Sequence, residues 1–161
     1  MKKDSNSLDQ LKFSDAQQTD LEEISSLLTG AFTIFVARLG KTQSGHHPWL
    51  AGAIAENRVH IARDGKAIVG AICTTMTSKR LEIDKLGVDP KRQGNGIGSW
   101  MLKQLEAHAR ERGAQTLTLY TGAMMEDLLR FYGSHGFVET HRALPEHGED
   151  NHLRAHMEKQ L

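Results

Sequence analysis

The sequence predicts an α/β chain of the α+β type, a mixed sheet of about six to seven strands with about four helices packed on it. Three observations carry this expectation. Apolar residues recur every three or four positions in two long stretches, the mark of helices with one buried face. Short runs rich in β-branched residues, bounded by tight-turn signals, fill the middle and the end. Three of those runs come in succession before helices and strands alternate, an order that a regular βαβ repeat does not give.

Leu11–Ser14 reads as a short first strand. From Thr19 onward, Leu21, Ile24, Leu28, Ala31 and Phe35 recur at helical spacing, flanked by Leu27 and Phe32. This predicts a helix capped at Thr19 or Asp20 and ending near Leu39-Gly40. KTQSGHHP is a loop, and Trp49–Asn57 a second, shorter helix. Val59–Arg63 and Ala67–Thr75 form a hairpin about Asp64-Gly65, and a turn near Ser78-Lys79 leads into the strand RLEIDKLGV. Beyond a glycine-rich loop, Ile97, Met101, Leu105 and Ala109 make a stripe opposite Lys103, Glu106 and Arg110, with Gly113 as the stop. TLTLY is a strand, Met124–Ser134 a helix and GFVETHR a strand. In NHLRAHMEKQL, Leu153, Ala155 and Met157 alternate with His152, Arg154 and His156, which predicts a last strand.

The 161 residues suit one domain with a real core, spanning 1–161 with the first eight residues loose. Twenty basic and twenty acidic residues cancel, so nothing pulls the chain toward nucleic acid or an anionic membrane. No stretch approaches the roughly 20 apolar residues of a membrane helix, and MKKDSNSLDQ lacks the apolar segment of a signal peptide. With a single cysteine, Cys73, the expected compartment is the reducing cytoplasm. Cys73 lies in the apolar run AIVGAICTT and is expected to pack rather than react. Nine histidines raise the question of a metal. His152 and His156 would suit a helical zinc site by spacing, but their segment reads as a strand, and no metal is expected.

VDPKRQGNGIGSWML, residues 88–102, carries the chemistry. It puts Arg92 and three alternating glycines, Gly94, Gly96 and Gly98, before a helix. Glycines let backbone N–H groups approach a ligand, and a helix N-terminus favours negative charge. An anion is therefore expected. A P-loop is excluded because Ser99-Trp100 follow Gly98 where lysine is needed. A dinucleotide fingerprint is excluded by glycine spacing and by the lack of an acid in Thr118–Thr121.

Gln93-Gly94-Asn95-Gly96-Ile97-Gly98 resembles the Q/R-x-x-G-x-G/A loop of the GNAT superfamily of acetyl-coenzyme-A-dependent N-acetyltransferases. Downstream, Tyr132-Gly133-Ser134-His135-Gly136-Phe137 matches the family's Tyr-x-x-x-Gly-Phe pattern in residue and distance. The resemblance covers about residues 59–142. It implies the GNAT fold, with its sheet splayed between strands 4 and 5, and acetyl-CoA as cosubstrate. It further implies that Arg92, Gln93, Gly94, Asn95, Gly96, Ile97, Gly98 and Ser99 hold the cofactor's pyrophosphate. In RLEIDKLGV, Leu81 and Ile83 share one parity and Leu86 and Val88 the other, as a β-bulge would produce. By resemblance, the backbone of Leu86, Gly87 and Val88 pairs with the pantetheine amides, and the Val88 N–H polarises the thioester carbonyl.

The resemblance assigns Tyr132 as the donor of a proton to the leaving thiolate, a task that suits a phenol. It offers Glu82 as the base, with Asp84 or a water chain as alternatives. Met124–Leu128 lacks the asparagine that many relatives carry there, so Asp127 is expected to cap the helix instead. His46-His47 and Trp49 lie where the family lines its acceptor pocket. The function implied is acetyl transfer to a primary amine of a small molecule or peptide, by direct attack in a ternary complex. The alternative is a catalytically silent coenzyme-A-binding sensor or interaction module of the same fold. The family often forms homodimers, and nothing in the sequence decides this.

Overall fold

β-Branched runs and tight turns become strands where the sequence places them. The computed structural model describes residues 8–41, 45 and 47–161. The strands are β1 (Leu11–Asp15), β2 (Val59–Asp64), β3 (Ala67–Thr77), β4 (Arg80–Val88), β5 (Thr116–Gly122), β6 (Val138–Ala143) and β7 (Arg154–Gln160). The helices are α1 (Leu21–Arg38), α2 (Leu50–Ala55), α3 (Ile97–Glu111) and α4 (Glu126–Ser134). The seven strands form one mixed sheet in the order β1-β2-β3-β4-β5-β7-β6, so the α+β class is borne out. Of the eight residues expected to be loose, 1–7 lie outside the described residues, and Leu8 opens a 3-10 turn, Leu8–Gln10.

The chain divides into two compact units, Met1–Thr74 with Lys85–Leu105, and Thr75–Asp84 with Glu106–Leu161. In the first, α1 buries Ile24, Leu27, Leu28 and Ala31, the apolar face expected of it. Ile24, Leu27 and Leu28 pack with Leu50 and Ile54 of α2 and with Val59, Ile61, Ile68, Ala71 and Cys73 of the β2–β3 hairpin. Cys73 is 1% exposed, a packed side chain. Asp20 occupies the cap position of α1 but makes no capping bond with its side chain. Its carboxylate instead accepts from the Gln17 N–H at 2.8 Å and from Arg63 at 2.6 Å.

The β2–β3 hairpin differs from expectation by one residue. Asp64 pairs with Ala67, so the loop is Gly65-Lys66 and Asp64 is the last strand residue. Gly65 has φ +62° and Lys66 does not, the pattern of a II′ turn with glycine first. The shift leaves the Asp64 side chain available for a task outside the turn.

Two glycines set close packing in this unit. A Cβ on Gly70 of β3 would lie 2.4 Å from the Met101 sulfur of α3. One on Gly87 of β4 would lie 3.1 Å from Ala31 and 3.2 Å from Leu28 of α1. Ile97, Met101, Leu102 and Leu105 are all buried, which anchors the first turns of α3.

In the second unit, β7 pairs antiparallel with both β5 and β6. Leu117 and Leu119 of β5 and Ala155 and Met157 of β7 are buried along one face. Parallel pairing of β4 with β5 covers Arg80–Glu82 against Thr116–Thr118. It ends there, although β4 runs on to Val88 and β5 to Gly122.

The expected switch of parity in β4 is not seen in burial: the buried residues Leu81, Ile83 and Gly87 all keep one parity. Asp84 and Lys85 are adjacent exposed residues, and beyond them Gly87 is buried while Leu86 and Val88 are half-buried. Gly87 lies beneath α1, where a side chain would crowd Ala31 and Leu28. Lys85 points to the same helix, its ammonium 5.9 Å from the Phe32 ring centre.

Candidate functional site

In the first unit the turn 89–96 is built by short bonds. The Asp89 carboxylate accepts from the Lys91 N–H at 3.0 Å, and the Arg92 N–H donates to the Asp89 carbonyl at 2.8 Å, closing a 3-10 turn over Pro90–Arg92. The Gln93 amide donates to the Val88 carbonyl at 3.1 Å, tying the turn back to the end of β4. Gly94 and Gly96 have φ +86° and +84°, where a Cβ is strained. A Cβ on Gly94 would meet nothing within 4 Å, and one on Gly96 only Leu8 at 3.6 Å. Backbone conformation, rather than crowding, requires these two glycines.

The Trp100 N–H donates to the Gly96 carbonyl at 3.0 Å, so the N–H groups of Ile97 and Gly98 stand at the open end of α3. Gln93, Gly94 and Gly96 are exposed, Asn95, Gly98 and Ser99 half-buried, and Ile97 buried beneath. The result is an exposed glycine loop at the positive end of a 15-residue helix, a setting for an anion. Arg92 stands beside it, its Nη1 donating to the Asp64 carboxylate at 2.7 Å. Leu86, Gly87 and Val88 form the end of β4 that leads into this turn.

The second unit holds the acid and base candidates. Glu82 is half-buried on β4. Burial, and then Asp84 and Glu146, push its carboxyl above the ordinary value, against the opposing pull of Arg80. Tyr132 lies in the last turn of α4, 8% exposed, with its ring edge-on to Phe131 and Phe137 at 5.1 and 5.7 Å. Burial alone pushes its phenol far above the ordinary tyrosine value, so it stays protonated at physiological pH. Tyr132 is thus a buried aromatic side chain of the core rather than a half-buried one. Asp127 does not cap α4. The cap position is Met125, without a side-chain bond, and Glu126 and Asp127 occupy the first turn.

Strand register brings three further side chains to the face of Glu82, which pairs with Thr118. Two residues on, Tyr120 of β5 pairs with His156 of β7, which pairs with His141 of β6. Tyr120 and His156 lie 5.2 Å apart between ring centres, and His156 and His141 stack at 4.3 Å. Burial first, and then His141, holds the His156 imidazole below its usual value, although Glu146 opposes. Tyr120 is pushed up by burial and by Glu82, Asp84 and Glu149. Sequence pattern alone does not single out this row, because only pairing across three strands assembles it.

His46 lies outside the described residues. His47 is tied to α1 through Ser25 Oγ at 2.9 Å and meets Trp49 edge-on. Among the described residues, no three of His, Cys, Asp and Glu gather as a metal would need, and no helix is long and apolar enough to cross a membrane.

Residues 21–137 match the model of the acetyltransferase (GNAT) family. The chain is 42% identical over 59 residues to a mycothiol acetyltransferase of Cellulomonas flavigena, covering 37% of this chain and 17% of that protein. It is 38% identical over 60 residues to an aminoalkylphosphonate N-acetyltransferase of Salmonella typhimurium, covering 37% of this chain and 39% of that one. The chain thus spans well under half the length of these curated relatives. In structure it is similar to the PaiA N-acetyltransferase of Thermoplasma acidophilum in complex with coenzyme A. The TM-score is 0.77 at 16% identity, over 94% of this chain and 99% of the other.

Proposed function

The chain belongs to the acetyltransferase (GNAT) family, and from that premise we propose that its 161 residues act as one N-acetyltransferase domain in the cytoplasm. In this reading it moves the acetyl group of acetyl-CoA to a primary amine of a small molecule or peptide. The observation that carries the reading is the exposed loop before α3, where Gly94 and Gly96 adopt positive φ at a helix N-terminus. The donor set fits a pyrophosphate: backbone N–H groups of Gln93–Ser99, the helix dipole and the Arg92 guanidinium. Bound acetyl-CoA supplies the activated acyl group as a thioester.

The remaining roles belong to the chain's own residues. The backbone of Leu86, Gly87 and Val88 holds the pantetheine amides, and the Val88 N–H donates to the thioester oxygen as charge develops there. Glu82 removes a proton from the acceptor amine, directly or through water, because a carboxyl with a raised value is a better base near neutrality. Tyr132 gives its proton to the departing thiolate. The amine attacks directly in a ternary complex, since the one thiol, Cys73, is sealed in β3 and cannot carry an acetyl group.

Incubation with acetyl-CoA and a panel of peptides, polyamines, amino acids and aminoglycosides, reading thiol release, tests the function. Release with at least one class is expected. Tight acetyl-CoA binding without release from any would leave a silent binding module. In the active reaction, Tyr132→Phe should lower turnover about 10²-fold while acetyl-CoA affinity is retained. Unchanged turnover at saturating acceptor removes Tyr132 from the chemistry.

A further inference from the structure

We propose that Asp64 is a positioning residue for the anion-binding loop, fixing the Arg92 guanidinium so that its remaining donor edge meets the cofactor's phosphate. The proposal rests on reading that loop as the coenzyme A pyrophosphate site. Asp64 and Arg92 are 28 residues apart, and both stand on constrained backbone. Asp64 pairs with Leu11 of β1 on one side and Ala67 of β3 on the other. Arg92 closes the 3-10 turn over Pro90–Arg92, and that turn is held to β3 by the Asp89 N–H donating to the Val69 carbonyl at 2.9 Å. The side chains joining these two supports are partly covered, 26% and 37% exposed.

The chemistry of the contact is selective. Asp64 accepts from Nη1 alone, at 2.7 Å. Nε and Nη2 make no hydrogen bond among the described residues, and together they form the flat fork that fits two phosphate oxygens. A lone arginine on an exposed turn must lose its rotamer freedom when it grips a ligand. Here that loss occurs on folding, so it no longer weakens binding. A half-exposed arginine–carboxylate pair contributes little to stability by itself. The Asp64 charge does repel a polyanion, so Asp64 acts in two opposed ways. Only the favourable one works through Arg92.

That separation supplies the test. Calorimetry with coenzyme A on the native chain, Asp64→Asn, Arg92→Ala and the double variant forms a cycle. Asp64→Asn should weaken binding about three- to tenfold, the range expected for ordering one long side chain. In the Arg92→Ala background the same change should leave binding equal or tighter, because only repulsion is removed. Asp64→Glu, which keeps the carboxylate, should bind more tightly than Asp64→Asn. In the acetyl-transfer assay the effect should fall on the Michaelis constant for acetyl-CoA rather than on turnover. Asp64→Asn binding as well as or better than the native chain overturns the proposal, as does equal weakening in both backgrounds. If the native chain does not bind coenzyme A at all, the reading of the loop fails, and this proposal with it.

Discussion

Glu82 is a half-buried carboxylate held above its ordinary value by its surroundings. Burial and the charges of Asp84 and Glu146 all disfavour its ionised form. The folded chain therefore holds the Glu82 proton more tightly than the unfolded chain does. Any stability from this group is present below the ordinary glutamate range and is lost as pH rises through the elevated folded value. Glu82→Gln should accordingly raise the melting temperature at pH 7 relative to its effect at pH 4. If Glu82 is the base, the same change should remove the acidic limb of the kcat/KM profile, and an unaltered limb would exclude it. Residue chemistry of this kind was partly legible in the sequence. Glu82 and Tyr132 could be named because each sits beside a recognisable pattern. Tyr120, His156 and His141 could not, because alternation along a strand gives a side chain's face but not its neighbour across the sheet. Asp64 was hidden for a related reason: dipeptide Asp-Gly reads as a turn centre, whereas hairpin register puts Asp64 at a strand end.

At the level of the element, the loop before α3 was the most legible part, because three glycines in alternation have few structural uses. Its geometry yields a sharp expectation. Gly94 has φ +86° and open space around it, so Gly94→Ala introduces backbone strain of roughly 1–2 kcal/mol without a clash. The exposed loop should relax rather than the fold fail. Circular dichroism should stay native, while coenzyme A affinity falls about tenfold, the equivalent of that strain. Native affinity in Gly94→Ala would show that this conformation is not used in binding. β4 was less legible. Its apolar residues suggested a change of face between Ile83 and Leu86, yet the buried residue there is Gly87, which sequence patterning counts as neutral. What decides its burial is the approach of Leu28 and Ala31 from α1, a tertiary fact. The start of α4 likewise escaped prediction, because Met125 takes the cap position although an acid stands two residues away.

At the scale of the molecule, strand count, strand succession and the α+β class followed from periodicity and turns. Insertion of β7 between β5 and β6 did not, since local pattern carries no strand order. Nor did the division into two compact units, whose boundaries cut through β3, β4 and α3. The loop and the packed core around Cys73 belong to the same unit. Coenzyme A at a hundred times its dissociation constant should therefore stabilise that unit by about 2.7 kcal/mol. The single thiol gives a native clock for this. With 1% of Cys73 exposed, a thiol reagent can reach it only when β3 opens. When opening is fast and reversible, labelling tracks the population of the open form. The same saturation should then slow labelling by roughly two orders of magnitude. An unmodified chain would thus report occupancy of the proposed cofactor site through its single thiol, a side chain with no assigned part in holding the cofactor.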